Sequence, residues 1–137
     1  MGGDTVSTRQ NIASGTIWEE RVGYSRAVRV DNLVFVSGTT ATDDDGNVVG
    51  PNDPEAQAHY ILQKIGRSLE QAGSSLRDVV RYRCYVTNAD DWQQVGVALH
   101  KAFADIRPAS TLVEVSRLIG SDYLVEIDVD AVIGGAA

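Results

Sequence analysis

The chain is predicted to be an α+β protein, a two-layer sandwich in which two helices pack on one face of a single mixed sheet. Three observations indicate this class. Two segments repeat apolar residues at helical spacing, and several shorter runs are rich in β-branched and aromatic residues. These follow the order strand, strand, an optional short strand, helix, strand, helix, strand, strand. The length of 137 residues suits one domain over residues 1–137.

The first predicted regular structure is a β-hairpin. Residues 1–16 before it are small and polar, and we expect them to form a flexible tail. Residues 24–30 and 33–39 are β-rich runs, and Asp31-Asn32 between them tolerate the positive φ of a tight turn.

An acidic run at residues 43–47 follows the hairpin. Its aspartates, glycine and asparagine are typical of a turn, and Val48-Val49 is predicted to add the short strand. A calcium loop of the EF-hand type would place its first and last ligands at Ala41 and Asn52, which do not suit those roles. We therefore interpret the run as a solvated turn.

Two amphipathic helices form the predicted helical layer. The first begins with Asp53 as N-cap and Pro54 at the first helical position, and it ends at Gly73. Its apolar stripe consists of Ala58, Ile61, Leu62, Ile65, Leu69 and Ala72. The second helix begins after capping residues 88–91 and ends before Pro108. Its predicted inward face carries Trp92, Val95, Leu99, Ala102 and Phe103.

The remaining strands are predicted at residues 79–87, 111–115 and 123–133, and alternation sorts their side chains between two faces. The face toward the helices receives Tyr82, Cys84, Val86, Val125, Ile127, Val129 and Ala131. The opposite face receives Arg81, Arg83, Tyr85, Glu126, Asp128 and Asp130. A face of that composition meets either water or another subunit.

Composition excludes several classes of function. The net charge is -7 and there is no basic patch of the kind that nucleic-acid binding requires, so no nucleic-acid partner is expected. No apolar run approaches the roughly 20 residues of a membrane span, and residues 1–6 lack the features of a secretory signal, so no membrane partner is expected. With Cys84 as the single cysteine no internal disulfide forms, and we expect a cytoplasmic protein.

Four segments resemble the RidA/YjgF family, also described as endoribonuclease L-PSP. They are GYSRAV at residues 23–28, NLVFVSG at residues 32–38, RPASTLVEV at residues 107–115 and VEI at residues 125–127. The resemblance implies a chorismate-mutase-like α+β fold and a homotrimer with three ligand clefts between neighbouring subunits. Such a trimer would cover the charged face of the sheet.

The resemblance also implies a reaction. Members of this family hydrolyse reactive imines and enamines to a carbonyl compound and ammonia and need no cofactor. Their pattern uses an arginine on the strand after the second helix to clamp the substrate carboxylate, and a glutamate on the last strand to hold water. The glutamate corresponds to Glu126, the predicted catalytic residue. Ser110 stands at the position of the arginine, and losing such a contact typically costs about 2–5 kcal/mol.

Further candidates for substrate binding come from the same resemblance. The cleft lining is expected to include Tyr24, Ser37 and Gly38, with ligand contacts from Ser110 and Thr111. Arg83 and Arg26 are the candidates to replace the missing cation. Arg83 has the alternative of pairing across strands with Glu126, Asp128 or Asp130. Without a replacement cation the pocket would suit a neutral or hydroxylated ligand.

Metal and thiol chemistry are not expected. His59 and His100 lie on different helices without a second ligand at helical spacing, so no metal site is predicted. Cys84 is expected to be a small buried hydrophobe, and Leu112 stands where some family members carry a reactive cysteine.

The leading hypothesis is therefore a homotrimeric deaminase that hydrolyses an imine or enamine, with a substrate altered by the presence of Ser110. The alternative is a non-catalytic small-molecule-binding or chaperone-like homologue that keeps the trimer and the cleft. Ribonuclease activity, a third interpretation, is disfavoured by the acidic charge.

Overall fold

The computed structural model describes residues 8–135, in which two long helices pack on one face of a six-stranded sheet. The elements are β1 (Arg9–Ile12), α1 (Ile17–Val22), β2 (Ala27–Val30), β3 (Leu33–Thr39), α2 (Pro54–Gln71), β4 (Val79–Val86), α3 (Trp92–Phe103), β5 (Ala109–Glu114) and β6 (Val125–Val132). The strand order is β1-β2-β3-β6-β4-β5. The β4–β5 pair is parallel and the others are antiparallel, which confirms the predicted mixed sheet and the α+β class.

The segment before the hairpin differs from its prediction. Strand β1 pairs antiparallel with β2, and Ile12 is buried, so the expectation of a flexible tail through residue 16 is wrong for residues 9–12. Backbone hydrogen bonds to an edge strand order this segment, although its side chains are mostly polar. The part of that expectation covering residues 1–7 lies outside the described residues.

Local signals around the hairpin and the first long helix are confirmed. Asp31 adopts a φ of 53°, and Val30 pairs with Leu33 across the turn. The side chain of Asp53 accepts a hydrogen bond of 3.0 Å from the backbone N of Ala56, which caps α2. The short strand expected at Val48-Val49 is reduced to one bridge between Thr42 and Val48.

The core lies between the sheet and the two long helices. The stripe of α2 and the inward face of β6 are buried as predicted, with no exposed area at Ile61, Ile65, Leu69, Val125, Ile127 and Val129. Cys84 is also fully buried, as predicted. The prediction for Trp92 is wrong, since this side chain is 58% exposed at the first position of α3. It lies at the rim of an open groove rather than on the sheet.

One polar side chain in this core carries several contacts. Gln57 on α2 is fully buried, and its Nε2 donates to the carbonyls of Gly50 at 3.2 Å and Asp122 at 2.9 Å. Its Oε1 accepts from the backbone N of Leu124 at 2.9 Å. Gln57 therefore connects α2 to two loops, one of which leads into β6.

None of the helices in the described part of the chain combines the length and the apolar composition needed to cross a bilayer.

Candidate functional site

The side chain of Glu126 lies directly against Gly38. The two residues are on neighbouring strands, β6 and β3, at a point where the pairing shifts register between Val36 and Thr39. A Cβ atom added to Gly38 would overlap with Glu126 Oε2 and would lie 3.1 Å from Glu126 Cδ. The carboxyl group therefore occupies space that only glycine leaves open.

Glu126 is half-buried, and this changes its acidity. Burial raises the pKa of Glu126 above the usual carboxyl value, the charge of Arg26 opposes the rise, and the charge of Asp128 adds to it. A carboxyl group of raised pKa can accept a proton from water more readily than an exposed one. The position thus suits a general base.

Arg26, the residue directly before β2, makes contacts in the same region as Glu126 and Gly38. Its Nη2 donates to the carbonyl of Gly38 at 2.6 Å, and its guanidinium carbon is 6.0 Å from the centre of the Tyr24 ring. Its Nε is buried and has no hydrogen-bond partner within residues 8–135. We call Glu126, Gly38, Arg26 and Tyr24 the Glu126 cluster.

A second cation, Lys64, was not predicted from the sequence. It stabilises the segment that follows β3. Lys64 on α2 donates through Nζ to the carbonyls of Thr40 at 2.9 Å and Thr42 at 2.8 Å. Burial lowers the pKa of Lys64 to about 8, and the nearby positive charge of Arg26 adds to this effect. The only sequence signal was a lysine adjoining the apolar stripe of α2.

Ser37 lies next to the cluster and, together with Tyr24, lines a shallow groove of about 580 Å³. Tyr24 is 39% exposed, so its ring is accessible. The hydroxyl of Ser37 donates to the carbonyl of Ser25 at 2.6 Å, which leaves its oxygen able only to accept from a ligand. Four of the predicted site residues, Tyr24, Ser37, Gly38 and Glu126, therefore lie in one region.

Arg83 lies on the same sheet face but is engaged by two carboxylates. Its Nη1 donates to Asp128 Oδ1 at 2.7 Å, and its Nη2 donates to Asp130 Oδ2 at 3.2 Å. The hydroxyl of Tyr85 donates to the other oxygen of Asp128 at 3.0 Å. The structure thus shows the cross-strand pairing that was the alternative for Arg83.

Ser110 and Thr111 are exposed on β5 and are separated from Glu126 by strand β4. Their register partners on β4 are Tyr82 and Arg83, which places Ser110 on the helix side of the sheet and Thr111 on the open side. Two strand spacings amount to about 10 Å. Within one chain, therefore, Ser110 and Thr111 do not meet the Glu126 cluster.

Another concavity, which we call the edge groove, lies between α3 and β5 on the helix side. It has a volume of about 340 Å³. Its base includes the stacked rings of Tyr82 and Phe103, whose centres are 5.1 Å apart, and its walls include Trp92, Leu112 and Arg107. Sequence reasoning did not single out Arg107. Its one signal was its position before Pro108.

The described residues contain no group of three or more His, Cys, Asp or Glu side chains that could hold a metal ion. Burial raises the pKa of the Cys84 thiol to about 12, so the thiolate is scarce at neutral pH.

Comparisons with known proteins identify the family of the chain. The family model for endoribonuclease L-PSP matches residues 18–133. The 3-aminoacrylate deaminase RutC of Acinetobacter baylyi is 34% identical over 76% of this chain and 82% of its own length.

Solved structures give the same result. Rv2704 of Mycobacterium tuberculosis, a member of the YjgF/YER057c/UK114 family, is 44% identical with a TM-score of 0.83, covering 92% of this chain and 100% of that chain. YyfA of Yersinia pestis, from the conserved Rid protein family, is 30% identical with a TM-score of 0.81 over 92% of this chain and 100% of its own. The chain therefore belongs to the endoribonuclease L-PSP family, that is, to the RidA/YjgF family.

Proposed function

We propose that the protein hydrolyses a reactive imine or enamine to a carbonyl compound and ammonia, with Glu126 as the catalytic residue. The observation that carries this proposal is the contact of the half-buried Glu126 carboxyl with Gly38, beside Arg26. The deaminase named among the relatives supports the reaction class. No cofactor is required by this chemistry.

The reaction needs a base and then an acid at one place. Glu126 takes a proton from water as the water oxygen bonds to the imine carbon, and it then gives this proton to the nitrogen. The hydroxyl proton of the resulting carbinolamine then passes through Glu126 to the amino group, the C–N bond breaks, and ammonia leaves as the carbonyl group forms. Water and imine thus yield one carbonyl compound and one ammonia. Arg26 lies close enough to stabilise the ionised form of Glu126.

Both arginines named from the sequence already make hydrogen bonds within the chain. Arg83 is held by Asp128 and Asp130, and Arg26 is held by the carbonyl of Gly38 with its Nε buried. A bidentate clamp needs two guanidinium N–H groups that face the ligand. We therefore assign Arg26 a positioning role next to Glu126.

The site is proposed to be shared between copies of the chain in a homotrimer. The Glu126 cluster and the Ser110 strand lie on different parts of one chain, so the neighbour's β5 would complete each cleft. Thr111 and Ser110 would then contact the ligand from the adjoining subunit, while Tyr24, Ser37 and Gly38 line the opposite wall.

Mixing inactive variants tests the shared site. Glu126→Gln subunits and Ser110→Trp subunits, in which a bulky exposed side chain on β5 blocks the cleft, should each be inactive alone and should regain activity when refolded together. In a random equal mixture about one cleft in four would combine two intact halves, because each half comes from a different subunit. Keto-acid release at roughly a quarter of the wild-type rate is expected. A mixture as inactive as its components, with trimers present by sedimentation, would place the whole site within one chain.

Gly38→Ala tests the contact that carries the proposal. The new methyl group displaces the Glu126 carboxyl, and we expect imine hydrolysis to fall about tenfold to a hundredfold. The fold should persist, because the displaced atom is the end of a flexible side chain. The measurement is keto-acid and ammonia release from freshly generated imines.

Gly66→Ala is the matched control for this change. A Cβ at this helical position meets only Leu76, at an ordinary contact distance of 3.5 Å. Activity should stay at the wild-type level. Stability should be slightly higher, because alanine is a better helix former than glycine. Equal activity in the Gly38 and Gly66 variants would remove the role assigned to the Glu126 contact.

A non-catalytic binding protein is the second candidate. The observation that favours it is Ser110, a neutral and exposed residue at the position of the family arginine. In that case the wild type would bind a small molecule without releasing ammonia from any imine tested.

A further inference from the structure

We propose that Arg107 binds the carboxylate of the substrate and that the edge groove accepts a large apolar or aromatic side chain on the same molecule. The inference rests on the proposed function, in which the edge groove of one subunit belongs to the same cleft as the Glu126 cluster of its neighbour. It names the substrate class, which is a 2-imino acid with a bulky side chain. It also identifies a specificity-determining residue outside the positions that the sequence pointed to.

The groove provides an apolar surface of suitable size. Its base is the stacked pair Tyr82 and Phe103, and Leu112 adds an aliphatic contact from β5. Trp92, 58% exposed, stands at the rim with its ring available for stacking. A volume of about 340 Å³ lies at the small end of the range for small-molecule sites.

Arg107 supplies the charge that this surface lacks. Its backbone has a φ of 49° and its N–H donates to the carbonyl of Phe103 at 2.8 Å, so the residue is fixed in the turn between α3 and β5. Its side chain lines the groove, is exposed, and forms no hydrogen bond or ion pair with the part of the chain that the structure describes. The guanidinium is therefore free for a ligand.

Charge complementarity indicates which ligand fits. The chain as a whole carries a net charge of -7, so a free guanidinium beside an aromatic surface is a local exception. A carboxylate can accept two parallel hydrogen bonds from such a group. The register with Tyr82 places Ser110 on this same face, where its hydroxyl can donate a further hydrogen bond.

Size selectivity follows from the same surface. A 2-imino acid with an aromatic or long aliphatic side chain would bury that side chain against Phe103 and Leu112, whereas a three-carbon imino acid would leave the groove empty. Burial of a large apolar side chain raises affinity by about tenfold to a hundredfold. We therefore expect phenylpyruvate, the keto acid product of such an imine, to bind more tightly than pyruvate.

The test is a titration calorimetry comparison with phenylpyruvate, pyruvate and the neutral ketone phenylacetone. In Arg107→Met, phenylpyruvate should bind about tenfold to a hundredfold more weakly and phenylacetone unchanged, because only a charged hydrogen bond is lost. Arg107→Lys should recover part of the affinity. Arg117→Met removes an exposed arginine outside the groove and should bind like the wild type.

A second variant tests the apolar surface of the edge groove. Gly96 lies on α3 along the groove, and a Cβ there meets no atom within 4 Å, so a larger side chain can begin at this position and Gly96→Leu is expected to occupy part of the groove. Phenylpyruvate affinity should fall by at least about tenfold while pyruvate affinity is kept.

The inference is overturned if Arg107→Met leaves phenylpyruvate affinity unchanged, or weakens phenylacetone equally, which would indicate a structural role. Failure to bind phenylpyruvate in the wild type would also overturn it. Because binding is measured without turnover, binding that depends on Arg107 in a protein that hydrolyses no imine would contradict only the proposed function.

Discussion

Glu126→Gln should lower the rate of imine hydrolysis by about a hundredfold to ten-thousandfold, the usual contribution of a positioned general base. Glutamine keeps the size and the contact with Gly38 but cannot take a proton from water. The measurement is keto-acid and ammonia release from freshly generated 2-imino acids. In the wild type the rate should also fall on the acid side, at a pH above the ordinary carboxyl pKa of 4.5, because the pKa of Glu126 is raised by burial.

The same substitution should not destabilise the protein. Since burial raises the folded-state pKa of Glu126 above its unfolded value, the protonated carboxyl is favoured in the folded state, and that stability is lost as pH rises through the folded pKa. Glutamine stays neutral. The variant should therefore melt at or above the wild-type temperature at pH 7, and this advantage should disappear below pH 4.5, the unperturbed value.

Glu70→Gln is the control for both measurements, because Glu70 is an exposed carboxylate on α2. It should change neither the hydrolysis rate nor the pH dependence of melting. A Glu126 variant that keeps wild-type turnover would exclude Glu126 as the base, and an equal loss in both variants would point to a general charge effect.

Gln57→Leu should lower the free energy of unfolding by about 3 kcal/mol, because it removes three hydrogen bonds made by a fully buried side chain. The amide side chain satisfies the carbonyls of Gly50 and Asp122 and the N–H of Leu124. Leucine fills the space but offers no hydrogen bond. Urea denaturation followed by circular dichroism measures the change.

Gln63→Leu is the matched control on the same helix, because Gln63 is exposed. Its unfolding free energy should stay within about 0.5 kcal/mol of the wild type. If Gln57→Leu proved equally neutral, the three hydrogen bonds would contribute little. Because Leu124 leads into β6, a partial loss of hydrolysis in Gln57→Leu is expected even under conditions where the variant remains folded.

Much of the fold could be predicted because its signals are local. Alternation along β6 correctly separated Val125, Ile127 and Val129 from Glu126 and Asp128, since a strand sends successive side chains to opposite faces. The apolar stripe and the Asp53 cap defined α2 for the same reason.

Predictions that depend on distant parts of the chain were less successful. Strand β1 is ordered by pairing with β2, and no apolar pattern in residues 9–12 indicates this. Trp92 fits the apolar spacing of a helix, but it is the first residue of α3 and lies exposed at the groove between α3 and β5. The buried role of Gln57 depends on loops about 7 and 65 residues away along the chain.

The sequence by itself determined the fold class, the family segments and the candidate glutamate, because periodicity and short motifs are properties of neighbouring residues. Only the tertiary structure decided that Glu126 rests on Gly38 beside Arg26, that Arg83 is held by Asp128 and Asp130, and that Ser110 lies across the sheet from Glu126. The physical reason is that strand order and register bring together side chains that are far apart in the chain. No local pattern encodes which strands become neighbours.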